Sequence, residues 1–137
     1  NNRLDDKNRI RIPAKFKADL GADYKLAFAP GNCIYVLPQS EYRKILDGFG
    51  ESSYFNVEQQ EAIAAFTGSV YDVTEDNQGR IVLPAELKEY AHIDKEIVIT
   101  GAASYLRIEA AEQFSKRTAG MNMADVFAKL NAIGKKE

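Results

Sequence analysis

The chain has one cysteine, one histidine, no apolar run long enough for a membrane and no surplus of positive charge. Each shortage removes a class of function. A single cysteine, Cys33, excludes an intramolecular disulfide and argues against a thiolate metal cluster, which fits a reducing compartment. The lone His92 and the scattered glycines supply neither a nucleophile–base pair nor a phosphate-cradling loop, so an enzyme is not expected and no cofactor is implied. The longest apolar stretches, 33–37 and 96–100, have strand length and fall far short of the roughly 20 residues that span a bilayer. No secretory signal is read in the chain, and the expected setting is the cytoplasm. Eighteen Lys and Arg against twenty Asp and Glu leave a net charge of −2, which lacks the usual footprint of a nucleic-acid binder.

What is present is unevenly placed. Residues 1–17 carry Arg3, Lys7, Arg9, Arg11, Lys15 and Lys17 against Asp5 and Asp6, a local surplus of +4. Acids gather elsewhere, at Asp72, Glu75 and Asp76 and at Glu109 and Glu112. A basic face at the N-terminal end is therefore compatible with an acidic whole. At 137 residues and 45% apolar content the chain can bury a core, either as one domain or as two small repeats sharing one.

It is a repeat. DDKNRIRIPAKFKADLGAD (5–23) lies over DNQGRIVLPAELKEYAHID (76–94) with identities at Asp5/Asp76, Arg9/Arg80, Ile10/Ile81, Pro13/Pro84, Ala14/Ala85, Lys17/Lys88 and Asp23/Asp94. After a one-residue adjustment 33–42 lies over 105–114. Two units of one design predict a pseudo-symmetric structure.

Each unit reads alike. Segments 9–12 and 80–83 are short strands stopped by Pro13 and Pro84, with Ile10 and Ile12 on one face and Arg9 and Arg11 on the other. Two-turn helices are expected over 14–20 and 85–91, followed by hairpins turning at 30–32 and 101–104. Helices are expected from Ser40 and from Ala111. Between the units, 48–53 reads as a loop and 57–66 as a helix; 124–133 reads as a helix whose apolar face packs on its own domain or makes an oligomer contact. Cys33 reads as a small buried thiol and His92 as a loop or cap residue.

The sharpest feature is Asp5-Asp6-Lys7-Asn8-Arg9, echoed by Asp76-Asn77-Gln78-Gly79-Arg80. Aspartate and asparagine favour tight turns, and Asn8 and Gly79 occupy the place where a positive φ is expected. An aspartate four residues back can fix a guanidinium by a bidentate bond. Two readings follow. The pairs either close their turns as structural salt bridges, or they aim arginines at guanine in a major groove, whose O6 and N7 match the guanidinium fork.

The run L-D-x-K-N-R-I-x-I-P-A-K-F (4–16), D-N-Q-G-R-I-x-L-P (76–84) and K-E-I-V-I-T-G (95–101) resembles the MraZ family of the AbrB-like group. The resemblance implies an α+β fold: a pseudo-two-fold swapped-hairpin β-barrel of two tandem AbrB-like repeats with short flanking helices. The repeats are placed at 1–47 and 69–118 and form one globular unit, with a linker and helix at 48–68 and a C-terminal helix at 119–137. It implies a transcriptional regulator, a repressor in type, of the bacterial division and cell-wall genes. Its partners would be double-stranded DNA carrying promoter direct repeats and further copies of itself in a ring, on the nucleoid, with no membrane and no small-molecule substrate. The DNA-binding residues would be Arg9, Lys7, Arg11, Arg80, Lys15 and Arg3, with Asp5, Asp76, Asn8 and Gly79 shaping the loops. The chain departs from the family pattern in having only Asn1, Asn2 and Arg3 ahead of the motif, which is expected to weaken either DNA binding or the barrel edge. It departs again in lacking arginine at 58–68. The competing expectation is an AbrB-like antitoxin or protein-interaction module.

Overall fold

The computed structural model describes residues 2–133. Two sheets and the helices on them make an α+β fold with antiparallel pairing throughout. The first unit supplies β1 (Asn2–Arg3), β2 (Arg9–Arg11), α1 (Ala14–Leu20), β3 (Tyr24–Ala29), β4 (Cys33–Pro38) and α2 (Gln39–Gly48). After α3 (Val57–Ser69) the second unit repeats them as β5 (Tyr71–Asp72), β6 (Arg80–Val82), α4 (Ala85–Tyr90), β7 (Glu96–Ala102), β8 (Tyr105–Ala110) and α5 (Ala111–Ala119). A last helix, α6 (Met123–Asn131), follows.

The strands interleave. The six-stranded sheet runs β1-β7-β8-β4-β3-β5, and exchanging the two units reverses that order onto itself. β1 adds to the second unit's β7 and β5 to the first unit's β3. β2 and β6 form the second sheet, with Ile10 opposite Ile81. In the larger sheet Tyr35 stands opposite Arg107. A pseudo-two-fold axis therefore passes through both pairs. Two residues ahead of the motif, Asn2 and Arg3, suffice to pair with Ile97 and Glu96.

The core follows the same symmetry. Ile10 and Ile81, Ile12 and Leu83, Leu26 and Ile97, Ile34 and Leu106, and Val36 and Ile108 are equivalent pairs, all buried in one cluster. Full burial of each such side chain contributes on the order of 1.5–3 kcal/mol. On the opposite face of β4 and β8 lie Cys33, Tyr35, Leu37, Tyr105, Arg107 and Glu109, as the two-residue period requires. Cys33 is buried, and burial pushes its thiol up from the ordinary value. Pro13 and Pro84, at φ −54° and −57°, end the short strands and stand one residue ahead of α1 and α4. His92 adopts φ +55° beyond α4, a cap position matching Gly21 beyond α1.

Three local expectations are corrected. Segment 48–53 is mostly not loop: α2 runs through Gly48 and continues as a 3₁₀ turn over Phe49–Glu51. Gly48 holds helical angles of φ −62° and ψ −24°, and no proline interrupts it. The second hairpin turns on Ala103 and Ser104 alone, because Gly101 and Ala102 still pair with β8. The tail helix does not pack on its own domain: Met123, Phe127 and Leu130 on α6, and Ile133 beyond it, are exposed, and only Val126 is half-buried.

Candidate nucleic-acid interface

β2 and β6 lie side by side, so the loops that lead into them meet. Each loop is closed the same way. The Asp5 N–H donates to Arg9 O at 3.1 Å and the Asn8 N–H to Asp5 O at 3.0 Å; Asp76, Arg80 and Gly79 repeat this at 2.9 and 3.0 Å. Asn8 at φ +59° and Gly79 at φ +77° make the reversal. Asparagine tolerates that region and glycine has no Cβ to clash in it.

The aspartate side chains organise the turns. Asp5 Oδ1 accepts the backbone N–H groups of Lys7 and Arg9, each at 2.9 Å, and Asp5 Oδ2 accepts Arg9 Nε at 2.7 Å. Asp76 does the same with Gln78, Arg80 and Arg80 Nε, all at 2.9 Å. The expected bidentate carboxylate–guanidinium pair is therefore not formed. One oxygen is consumed by two main-chain donors, and only the other faces the arginine. Some desolvation pushes the Asp5 carboxyl up, but the Arg9 and Lys7 N–H groups and the Arg9 guanidinium outweigh it and hold the pKa at about 2. Asp76 is also held below its ordinary value, chiefly by the Arg80 N–H.

The two loops are joined crosswise. Arg9 Nη1 lies 4.0 Å from Asp76 Oδ2, and Arg80 Nη1 lies 3.9 Å from Asp5 Oδ2. Two arginines and two aspartates thus form a neutral quartet about the pseudo-two-fold axis. The arginine side chains are only 24% and 26% exposed. The Nη2 group of each has no hydrogen-bond partner among the described residues. That free edge can meet one acceptor, a base edge or a phosphate oxygen.

Around the quartet the halves differ. The first unit contributes exposed Lys7, Arg11 and Lys15, where the second has Gln78, Val82 and Glu86, and Arg11 stands opposite Arg80 in the strand pair. Arg11 Nε donates to Gln78 O at 2.9 Å, tying the first strand to the second loop. Lys15 lies 5.1 Å above the Phe16 ring. Lys7 leaves its ammonium free of any hydrogen bond among the described residues, and Asp6 beside it faces Lys95 at 4.0 Å. Arg3 is not part of this group: its guanidinium pairs with Glu96 on the edge of the larger sheet.

Two supporting lysines, Lys88 and Lys17, stand out in the sequence as an identity in the repeat, without their loop-bracing role. Lys88 Nζ donates to Asn8 Oδ1 at 2.9 Å, bracing the first loop. Its equivalent Lys17 pairs with Glu75, which also accepts the Tyr24 hydroxyl at 2.5 Å just ahead of the second loop. Each helix thus braces the loop of the other unit. Among the described residues no group of three or more His, Cys, Asp or Glu is placed to hold a metal. No helix among them is long and apolar enough to cross a membrane.

A family model described as "MraZ protein, putative antitoxin-like" matches residues 1–63 and 66–132. The chain is similar to the protein called transcriptional regulator MraZ from Clostridium tetani, 30% identical over 98% of this chain and 95% of the relative. Its likeness to the transcriptional regulator MraZ of Carboxydothermus hydrogenoformans is 31% over 88% and 85% of the two chains. With that of Kocuria rhizophila it is 34% over 77% and 74%. With nearly the whole chain matched, this protein belongs to the MraZ family.

Proposed function

We propose that the chain is a DNA-binding transcriptional regulator, not an enzyme, and that the paired loops are its DNA face. The relatives carry the name transcriptional regulator, which supports this reading. The observation that carries it is the meeting of two Asp-x-x-x-Arg loops beside exposed Lys7, Arg11 and Lys15. Arg9 and Arg80 contact the DNA from the centre of this face, and the lysines and Arg11 contact phosphates around them. Asp5, Asp76, Asn8 and Gly79 hold the loops in shape. Arg3, paired with Glu96, contributes at most at the margin.

So few cations on an acidic chain bind one DNA site weakly at physiological salt. Joining several copies makes later contacts intramolecular and can raise avidity by about 10² to 10⁴. The reading is therefore completed by a ring-like homo-oligomer on evenly spaced direct repeats, upstream of division and cell-wall genes, in the cytoplasm and on the nucleoid. The test shifts two intact sites by half a helical turn, about five base pairs. Affinity should fall sharply; unchanged affinity contradicts the multivalent account. The exposed apolar face of α6 favours a second reading, capture of a protein partner by that helix. On that reading, deleting α6 abolishes partner binding and leaves DNA affinity intact.

A further inference from the structure

β2 and β6 form a two-stranded ribbon of their own, and its two faces differ in kind. Ile10 and Ile81, partners across the ladder, turn inward and are buried, anchoring the ribbon to the core. The two-residue period sends Arg9, Arg11, Arg80 and Val82 to the outer face. There Arg9 stands opposite Val82, and Arg11 opposite Arg80. The arginines suit a DNA face; the valine is unexplained by charge. Val82 is 59% exposed, and among the described residues it is the one large apolar side chain exposed on a strand. The Leu83 N–H donates to Asn8 O at 2.8 Å, which holds Val82 flush with the loop that carries Arg9.

We infer that Val82 is a specificity-determining residue of this face and reads the 5-methyl group of a thymine beside the base that Arg9 meets. The inference deepens the DNA reading proposed above and rests on it. A major groove admits a two-stranded ribbon. A valine side chain has no donor or acceptor, so it gains nothing at a phosphate oxygen or at a base edge that offers only hydrogen bonds. On the base edges of that groove the thymine 5-methyl is the apolar group, and an apolar side chain against it distinguishes thymine from the other bases. Partnered residues of two strands lie about 5 Å apart and successive base pairs about 3.4 Å apart, so Arg9 and Val82 fall on the same base step or on adjacent ones. Across the pseudo-two-fold axis Arg11 takes the place of Val82, with its Nε given to Gln78 O. The face therefore sets an apolar contact beside one central arginine and a cation beside the other. The DNA it selects is asymmetric, with thymine preferred on the Arg9 side only.

The test deletes that methyl from the DNA. Each thymine of one binding site in the DNA upstream of the protein's own gene is replaced in turn by deoxyuridine, which keeps its base pairing. Affinity is measured by fluorescence anisotropy for the wild type, Val82→Ser, Val82→Ile and Arg9→Ala. The expected result is one thymine, or two neighbouring ones, whose replacement weakens wild-type binding about fourfold, the worth of one buried methyl. Val82→Ser should be indifferent to uracil there, while Val82→Ile keeps the loss. Wild-type binding indifferent to uracil at every position overturns the inference, as does a Val82→Ser variant that retains the wild-type loss. A wild type that fails to bind this DNA, or an Arg9→Ala variant that binds it equally well, refutes instead the proposed DNA face itself. Val82 is exposed, so Val82→Ser should fold; should it melt early, Val82→Gln decides in its place.

Discussion

Replacing Glu109 by alanine removes a carboxylate that is 0% exposed in the face of β8. Glu109 accepts Arg117 Nη2 at 2.5 Å, and both Arg117 Nε and Gln113 Nε2 at 3.2 Å, with Arg107 Nη2 4.0 Å away. Burial pushes its carboxyl up, but Arg117 and Gln113 outweigh burial and hold it below its ordinary 4.5. Breaking a buried pair costs about 3–5 kcal/mol. The Arg117 side chain is 32% exposed and can recover water, so about 2–3 kcal/mol is expected here. In a domain of this size that lowers the melting temperature by about 10 °C. The equivalent residue in the first unit is Leu37, fully buried, so Glu109→Leu with Arg117→Leu should recover most of the loss. A carboxyl with a lowered native pKa stabilises fully above its unfolded value. That stability is lost as pH falls through the native value, so the gap between wild type and Glu109→Ala should narrow below pH 4.5. Thermal melts from pH 3 to pH 8 supply the measurement. A gap under about 1 kcal/mol at pH 7, or one that widens toward pH 3, refutes the reasoning.

Arg9→Ala should weaken DNA binding by about 1–3 kcal/mol per contacting arm, and Arg80→Ala by less, because Lys7 lies in the Arg9 loop where the Arg80 loop has Gln78, with Arg11 the one cation standing opposite Arg80. Fluorescence anisotropy with both variants checks this, and equal losses contradict the asymmetry. Asp5→Asn keeps an acceptor for the two N–H groups but not for Arg9 Nε, so DNA affinity should fall in part with little change in melting temperature. With Asp5 held at about 2, DNA binding should show no titration of this carboxyl between pH 5 and pH 8. Ala103 sits at φ +64° in the second hairpin, so Ala103→Gly should stabilise by about 0.5–1 kcal/mol in denaturant unfolding.

The repeat made most of the fold legible. Seven identities over nineteen aligned positions foretold equivalent strands, helices and loops, and the positions of Pro13 and Pro84 marked where strand gives way to helix. The positive φ of Asn8 and Gly79 follows from residue type alone. What stayed hidden depends on contacts between units. The crosswise distances of Arg9 to Asp76 and Arg80 to Asp5 exist only because β2 pairs with β6. The single-point carboxylate contact arises from competition by main-chain donors, which a motif does not display. Gly48 misled because glycine in a helix is only about 1 kcal/mol worse than alanine, and neighbours overrode it. The exposure of α6 depends on what packs against it, which its periodicity leaves open.

The central claim is that the first-unit side of the paired loops meets DNA phosphates, and salt tests it most directly. Binding of the protein to the DNA upstream of its own gene is titrated across salt concentrations for the wild type and the Lys7→Ala/Lys15→Ala variant. Both lysines are exposed and neither side chain makes a hydrogen bond among the described residues, so folding should be unaffected. Each phosphate contact contributes about 0.9 to the slope of log affinity against log salt, so the double variant should bind more weakly with a slope shallower by about 1.8 per copy in contact with the DNA. An unchanged slope, or wild-type binding insensitive to salt, would place the DNA elsewhere.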